Sequence, residues 1–331
     1  MALDHYVSQV HLKNFYSPKL RSLMYAIRKS DVKLFTPDAR SVCRIENGNT
    51  NAYLQENRAI EEFLKGIEPR YNEALEKLTT DKIDADCVFV IAGFVAFVYS
   101  CSPGGMRINT EPLRAIVDHT TKSLDSMGSF PPPPPVFGGK SITELLESGD
   151  VQISSDPKYP QAIGISSILH LTSTFGNYEW DILTNPVEDS PFFTSDFPVA
   201  IEQTDDPRVL NKLVPLAPHL AVRIRPNLAH DTQHTDFSFS GFRRSVRKLS
   251  RPEVMRTNRL IVRCAETTVF FRENHAWVLN FVRKNAPFRV ETKVQKIPYK
   301  KGNLLYTTQE IVKMTEPSRA PDRRETAPAS R

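Results

Sequence analysis

The chain has 331 residues, 40% hydrophobic and 24% charged, a balance that fits a globular fold and excludes a disordered polymer. Its formal net charge of +5 is unevenly spread: residues 241–331 carry 21 Lys and Arg against 8 Asp and Glu, whereas the first 240 carry 22 against 30. Such asymmetry points to a polyanionic partner or to a basic surface docking on an acidic one. The opening residues lack a basic region followed by an apolar stretch, so no secretory signal is expected. Four scattered cysteines without a CxxC pair suit free thiols in a reducing, cytoplasmic compartment.

In chain order, His5–Phe15 reads as a short strand running into a helical turn, and Leu23–Ile27 as a strand. The stripe Ile60, Phe63, Leu64, Ile67, Tyr71, Leu75 and Leu78 predicts a helix over Gln55–Thr79, with a kink or break at Pro69. Cys87–Tyr99 is apolar all round but too short to span a bilayer comfortably, so it is expected as a buried core helix rather than a membrane span. It should stop at Pro103–Gly105, with another helix starting near Thr110 and Pro112 in its first turn. Five prolines, Pro131–Pro135, predict a stiff polyproline II loop within 130–139, followed by a helix capped by Ser141 and Glu144. A helix near Tyr159–Phe175 precedes a strand-rich region in which Trp180–Thr184, Phe192–Thr194, Val199–Glu202, Leu213–Leu216 and Ala221–Arg225 form an antiparallel meander. Gly241–Leu249 reads as helical, Pro252–Cys264 as a clearer helix, then a strand at Thr268–Phe271, a helix at Asn274–Lys284 and a strand at Phe288–Ile297. Helices first and strands later predict an α+β fold, a helical N-terminal half packed with an antiparallel strand-rich half. We expect one domain over 1–315 and a disordered basic tail over 316–331.

Several residue groups have chemical potential. Glu61 and Glu68 lie seven residues apart on one line of the predicted helix, bordering its apolar stripe, where two carboxylates ligate a divalent metal, divide acid and base roles, or pair outward with Arg58, Lys65 or Arg70. His5 sits in the first strand. The island Thr194-Ser195-Asp196 before Phe197-Pro198 predicts a bulge or tight corner that holds a carboxylate in one direction. His230 and His234 have metal-ligand spacing, but their segment lacks helical periodicity and reads as a solvated loop. Arg243, Arg244, Arg247, Lys248 and Arg251 recur at helical spacing behind Phe237, Phe239 and Phe242, a pattern that suits phosphate backbones or a solvated helix equally. No Walker A loop, GxGxxG, GxSxG or HExxH occurs, which argues against the common nucleotide, hydrolase and zincin classes.

With His5-Tyr6-Val7-Ser8-Gln9, Leu12, Asn14 and Phe15, the helix Ile60–Leu78, Trp180–Leu183, the Thr194–Val199 corner and Asn258 before Thr268–Phe271, the chain resembles the domain-of-unknown-function family numbered 4238 over about residues 5–275. Two positions depart from that family: Ser8 stands where Pro is usual, and Phe197 where Asn is common. The resemblance implies no activity. It adds weight to His5, Gln9, Glu61 or Glu68, Ser195, Asp196 and Asn258 as site candidates. The expectation is a metal-dependent phosphodiesterase or nuclease-like hydrolase: Glu61, Glu68 and Asp196 on Mg²⁺ or Mn²⁺, His5 and Asp196 catalytic, and Arg243–Arg251 on nucleic acid. The alternative is a non-enzymatic module that binds nucleic acid or an acidic protein, with a component of a toxin or defence system as a further reading.

Overall fold

The chain opens with strand β1 (Leu3–His5), helix α1 (Gln9–Lys13) and strands β2 (Tyr25–Arg28), β3 (Leu34–Phe35) and β4 (Arg44–Glu46). A helical block follows: α2 (Ala59–Ile67), a 3-10 turn (Glu68–Arg70), α3 (Tyr71–Thr79), α4 (Ala85–Cys101), α5 (Pro103–Ser126), α6 (Ile142–Ser148), α7 (Lys158–Ser166) and α8 (Ile168–Gly176). Then come β5 (Glu179–Thr184), β6 (Thr194–Ser195), β7 (Ala200–Gln203), β8 (Leu210–Ala217), β9 (Leu220–Arg225) and β10 (Arg243–Lys248). The last elements are α9 (Arg251–Cys264), β11 (Thr268–Phe271), α10 (Val278–Asn285), β12 (Phe288–Tyr299) and β13 (Gly302–Lys313). These elements are taken from a computed structural model, which describes residues 3–131, 133–206, 209–230, 233–300 and 302–314. The tail 316–331, Pro132 of the proline run and Asp231 between His230 and His234 lie outside the described residues. The fold is α+β, helical in its N-terminal half and strand-rich in its C-terminal half.

The elements form where the side chains demand burial. Ile60, Leu64 and Ile67 bury one face of α2, and Tyr71, Ala74, Leu75 and Leu78 bury one face of α3. Pro69 separates the two helices, because it lacks the N–H that a continuous helix needs. Asp84 caps α4 by accepting the Cys87 N–H at 2.8 Å. That helix is buried on nearly every side, packed by α2, α3, α5, α7 and α8. No single helix among the described residues is long and apolar enough to cross a membrane.

α5 starts earlier than its composition suggests. Ser102 accepts the Gly105 N–H at 3.1 Å and Pro103 occupies the first helical position, so α5 begins directly after α4 with a 65° bend. A Cβ on Gly105 would stand 2.2 Å from the Tyr99 carbonyl oxygen, so only glycine permits this tight junction. Pro112 lies well inside α5 and leaves the Ile108 carbonyl without its helical donor; the Thr292 hydroxyl on β12 supplies one at 2.8 Å.

The strands form two main sheets. One has the order β10-β5-β9-β8-β7, antiparallel except for the parallel pair β10–β5. The other, β3-β2-β11-β6, joins the N-terminal strands to the late strand β11 and is antiparallel throughout. β1 pairs with β4, and β12 with β13 in a long hairpin. The meander is therefore interrupted: β6 leaves it and pairs with β11. Buried Trp180, Ile182, Val214, Val222 and Ile224 share one core with α4.

Three expectations change. Gly241–Leu249 is not a helix; β10 takes Arg243–Lys248 as an edge strand, with Ser245 donating to Asp181 at 2.8 Å. Its basic residues follow a helical spacing, yet the six-residue run is too short and too exposed for a helix, and its central Val246 suits a strand. The helix expected over 159–175 is two, divided at Ser167. The strand expected at 288–297 is the first arm of a hairpin whose second arm carries no strong turn dipeptide to announce it.

Candidate functional site

Four of the candidate residues converge. His5 at the end of β1, Gln9 at the start of α1, Glu61 on α2 and Glu68 at the head of the 3-10 turn line one pocket of about 190 Å³ with Asp4, Asn49 and Leu64. The β1–β4 pair holds His5 opposite Arg44. The break at Pro69 places Glu68 at the start of a new turn, beside the N-terminal strand.

Within this pocket the polar groups divide into committed and uncommitted ones. The buried Asp4 carboxylate accepts the Asn49 N–H at 3.0 Å and both Arg58 terminal nitrogens at 3.0 and 3.3 Å. Burial pushes its carboxyl up, but the Arg58 and Asn49 bonds prevail and hold it below the usual range. Glu61 accepts from the Asn49 side-chain amide at 2.5 Å and from Arg58 at 3.1 Å. Asp4, Asn49, Arg58 and Glu61 are thus one lattice, and Glu61 is structural as much as functional.

Glu68 and Gln9 stand apart from that lattice. Among the described residues neither side chain has a hydrogen-bond or ion-pair partner, and both are half-buried at the pocket wall. His5 places Nε2 3.3 Å from the Arg40 carbonyl oxygen. A carbonyl only accepts, so Nε2 carries the proton and a neutral His5 keeps Nδ1 as a free acceptor. The pocket thereby offers a carboxylate, an amide and an imidazole nitrogen with unspent capacity.

Asp196 lies elsewhere and is fully occupied. Its carboxylate accepts the backbone N–H of Glu266 at 2.9 Å, of Thr267 at 2.7 Å and of Thr268 at 3.2 Å, together with the Thr267 hydroxyl at 2.5 Å. Ser195 accepts the Phe197 N–H at 3.2 Å, which shapes the same corner. Asn258 accepts the Phe193 N–H and donates to the Pro191 carbonyl, both at 2.9 Å. Asp196, Ser195 and Asn258 are fully buried locks that fix β6 against α9 and β11. The trio Glu61, Glu68 and Asp196 is therefore not brought together. Among the described residues no three His, Cys, Asp or Glu side chains cluster so as to hold a metal ion.

The basic cluster is also separate. All six residues of β10 are exposed, and none of Arg243, Arg244, Arg247, Lys248 and Arg251 lines the pocket. Arg244 pairs with Asp81 at 2.8 Å, just beyond the C-terminus of α3, whereas Glu68 lies before its N-terminus. The nine residues of α3 set the two apart by roughly 13 Å. Arg247 pairs with Glu253 and Arg251 with Asp189, and Arg243 donates to the Ser240 and Phe242 carbonyls. His230 contacts the Gly241 turn and His234 is exposed.

Spacing alone gave no sign of a buried histidine, His11. It is fully buried, with Nδ1 2.8 Å from the Tyr71 hydroxyl, Nε2 2.8 Å from the Thr194 hydroxyl, and its ring stacked on Phe94. Burial pushes its imidazole down to about 3, so it is neutral and serves as a rigid pin between α1, α3 and β6. Its position next to Leu12 and four residues before Phe15 was the available signal.

Comparison with known proteins gives one match: the family model described as "Protein of unknown function (DUF4238)" covers residues 4–275. No curated protein matches the chain, and no solved structure does.

Proposed function

Because the chain belongs to the DUF4238 family of proteins of unknown function, its activity has to be read from its own pocket, and we propose a hydrolase-like enzyme that works by carboxylate acid–base chemistry on a neutral or cationic small-molecule group. One observation carries this reading: Gln9, Glu68 and His5 line one cavity with unspent hydrogen-bonding capacity, while a satisfied Asp4–Arg58–Glu61 lattice braces its wall. Glu68 serves as the base that takes a proton from water and returns it to the leaving group, the His5 Nδ1 accepts a hydrogen bond from the substrate's amine or hydroxyl, and the Gln9 amide orients the substrate.

Charge decides the substrate class. Asp4 and Glu61 share the one guanidinium of Arg58 and Glu68 stands unpaired, so a bare phosphodiester is repelled and an amine or hydroxyl is favoured. This reading turns away from a nuclease built around these carboxylates. NMR of the Gln9 and Asn49 side-chain amides tests it: butylamine or a neutral diol shifts them and inorganic phosphate does not. Larger shifts with phosphate than with either would oppose it.

A second reading rests on β10. A wholly exposed edge strand with four basic residues in six suits binding of an anionic polymer such as nucleic acid, independent of the pocket. On this reading the chain is a binding module, and its affinity falls linearly with the logarithm of salt concentration.

A further inference from the structure

A second cavity, of about 300 Å³, opens where Pro112 holds α5 away from a regular helical ladder, between α5, β8 and the β12–β13 hairpin. Lys212 of β8 reaches into it. Its Nζ lies 3.2 Å from the Gln309 Oε1 and 4.9 Å from the centre of the Tyr99 ring. Gln309 is itself fixed, since its amide nitrogen donates to the Tyr99 hydroxyl at 2.8 Å. Its oxygen therefore faces the amine, which keeps two of its three N–H donors in reserve.

No carboxylate balances this charge. Lys212 is the only charged side chain lining the cavity, and among the described residues it has no ion-pair partner. A half-buried cation without a counter-ion is costly to a fold, and burial accordingly pushes the amine down to about 8. The other cavity groups are neutral donors and acceptors. Asn109 spends one amide hydrogen on the Tyr99 carbonyl, Thr292 its hydroxyl on Ile108, and Thr307, on the same strand face as Gln309, lines the wall. The volume lies at the small end of ligand sites and suits an oxyanion with a few attached carbons.

We propose that this cavity binds a small oxyanion, a carboxylate or phosphate group, with Lys212 as its counter-charge and Thr307 as a hydroxyl donor. The site is independent of the His5–Glu68 pocket. It differs in charge sign from that pocket, so the two would hold different ligands or two ends of different substrates.

Isothermal titration of the full chain with inorganic phosphate and, separately, with propionate tests the proposal. Binding of either probe to the native chain is expected, weakened about tenfold or more in Lys212→Met and partly restored in Lys212→Arg. Phosphate alone would mark a phosphate-bearing ligand, and propionate alone a carboxylate. Should Lys212→Met fail to fold, Thr307→Val serves in its place and should weaken binding measurably. Absence of binding by both probes, or equal binding by the native chain and the folded variants, overturns the proposal.

Discussion

Asp196 and Lys29 grip the same turn from opposite polarities. Asp196 accepts the N–H groups of Glu266, Thr267 and Thr268, while the buried Lys29 amine donates to the carbonyls of Ala265 at 2.5 Å and Phe288 at 2.7 Å. The turn joins α9 to β11, so the pair ties α9 to the sheet that contains β2. Burial lowers the Lys29 amine to about 8, against the opposing pull of Asp196.

Removing either partner should therefore unfold the protein long before it alters any chemistry. Asp196→Ala leaves three half-buried N–H groups without their acceptor and removes the charge that offsets Lys29, an expected loss of roughly 2–4 kcal/mol in urea unfolding. Asp196→Asn should lose less, since its amide oxygen still accepts. Equal stability of Asp196→Ala and the native chain would contradict the structural role.

His11 makes stability depend on pH. Its folded value of about 3 lies below the unfolded value of about 6.5, so between the two the unfolded chain binds the extra proton. Its contribution is fully present above 6.5 and is lost as pH falls towards 3. At pH 5 this one group should lower stability by about 2 kcal/mol relative to pH 7. His11→Gln should remove that portion of the pH slope while lowering stability at pH 7, which urea titrations at the two pH values will read.

Ser8→Pro should stabilise the chain. Ser8 caps α1 with φ of −56°, inside the range proline imposes, and its buried hydroxyl has no hydrogen-bond partner. The substitution restricts the unfolded chain and removes an orphaned polar group, for an expected gain of about 0.5–1 kcal/mol in denaturant unfolding. A loss of stability would show that the Ser8 hydroxyl or N–H has a role that its surroundings do not reveal.

Much of the fold could be read before the structure, and the parts that could not have local causes. The α2–α3 break, the core helix α4, the Ser141–Glu144 capping box and the corner at Asp196 all follow from residues whose effect is short-range. Convergence of His5, Gln9, Glu61 and Glu68 was half visible: the helix line joined the glutamates, but nothing in one dimension shows that β1 lies beside them. β10 misled because Arg and Lys at helical spacing say nothing of backbone, and the parallel partner β5 lies 64 residues earlier by register. Asp196 misled in another way. A carboxylate fixed at a strand end looks the same in sequence whether it faces a ligand or a turn.

Charge removal on β10 separates the second reading from the first. Arg243→Ser with Lys248→Ser touches only exposed residues, so stability should change by less than about 0.5 kcal/mol. If this strand binds nucleic acid, the double variant should flatten the dependence of affinity on salt by about two counter-ions. An unchanged salt slope would remove β10 from any such interface.

The central claim is that the pocket of His5, Gln9 and Glu68 performs acid–base hydrolysis. The most direct measurement is turnover of a panel of neutral and cationic ester, amide and glycoside substrates by the native chain, Glu68→Gln and Glu61→Gln. The account predicts hydrolysis of at least one substrate by the native chain, a loss of about 100-fold or more in Glu68→Gln, and thermal stability in that variant equal to the native. Glu61→Gln, which loosens the Arg58 lattice, should lose both activity and stability. Hydrolysis that survives undiminished in a folded Glu68→Gln, or no turnover across the panel, would contradict it.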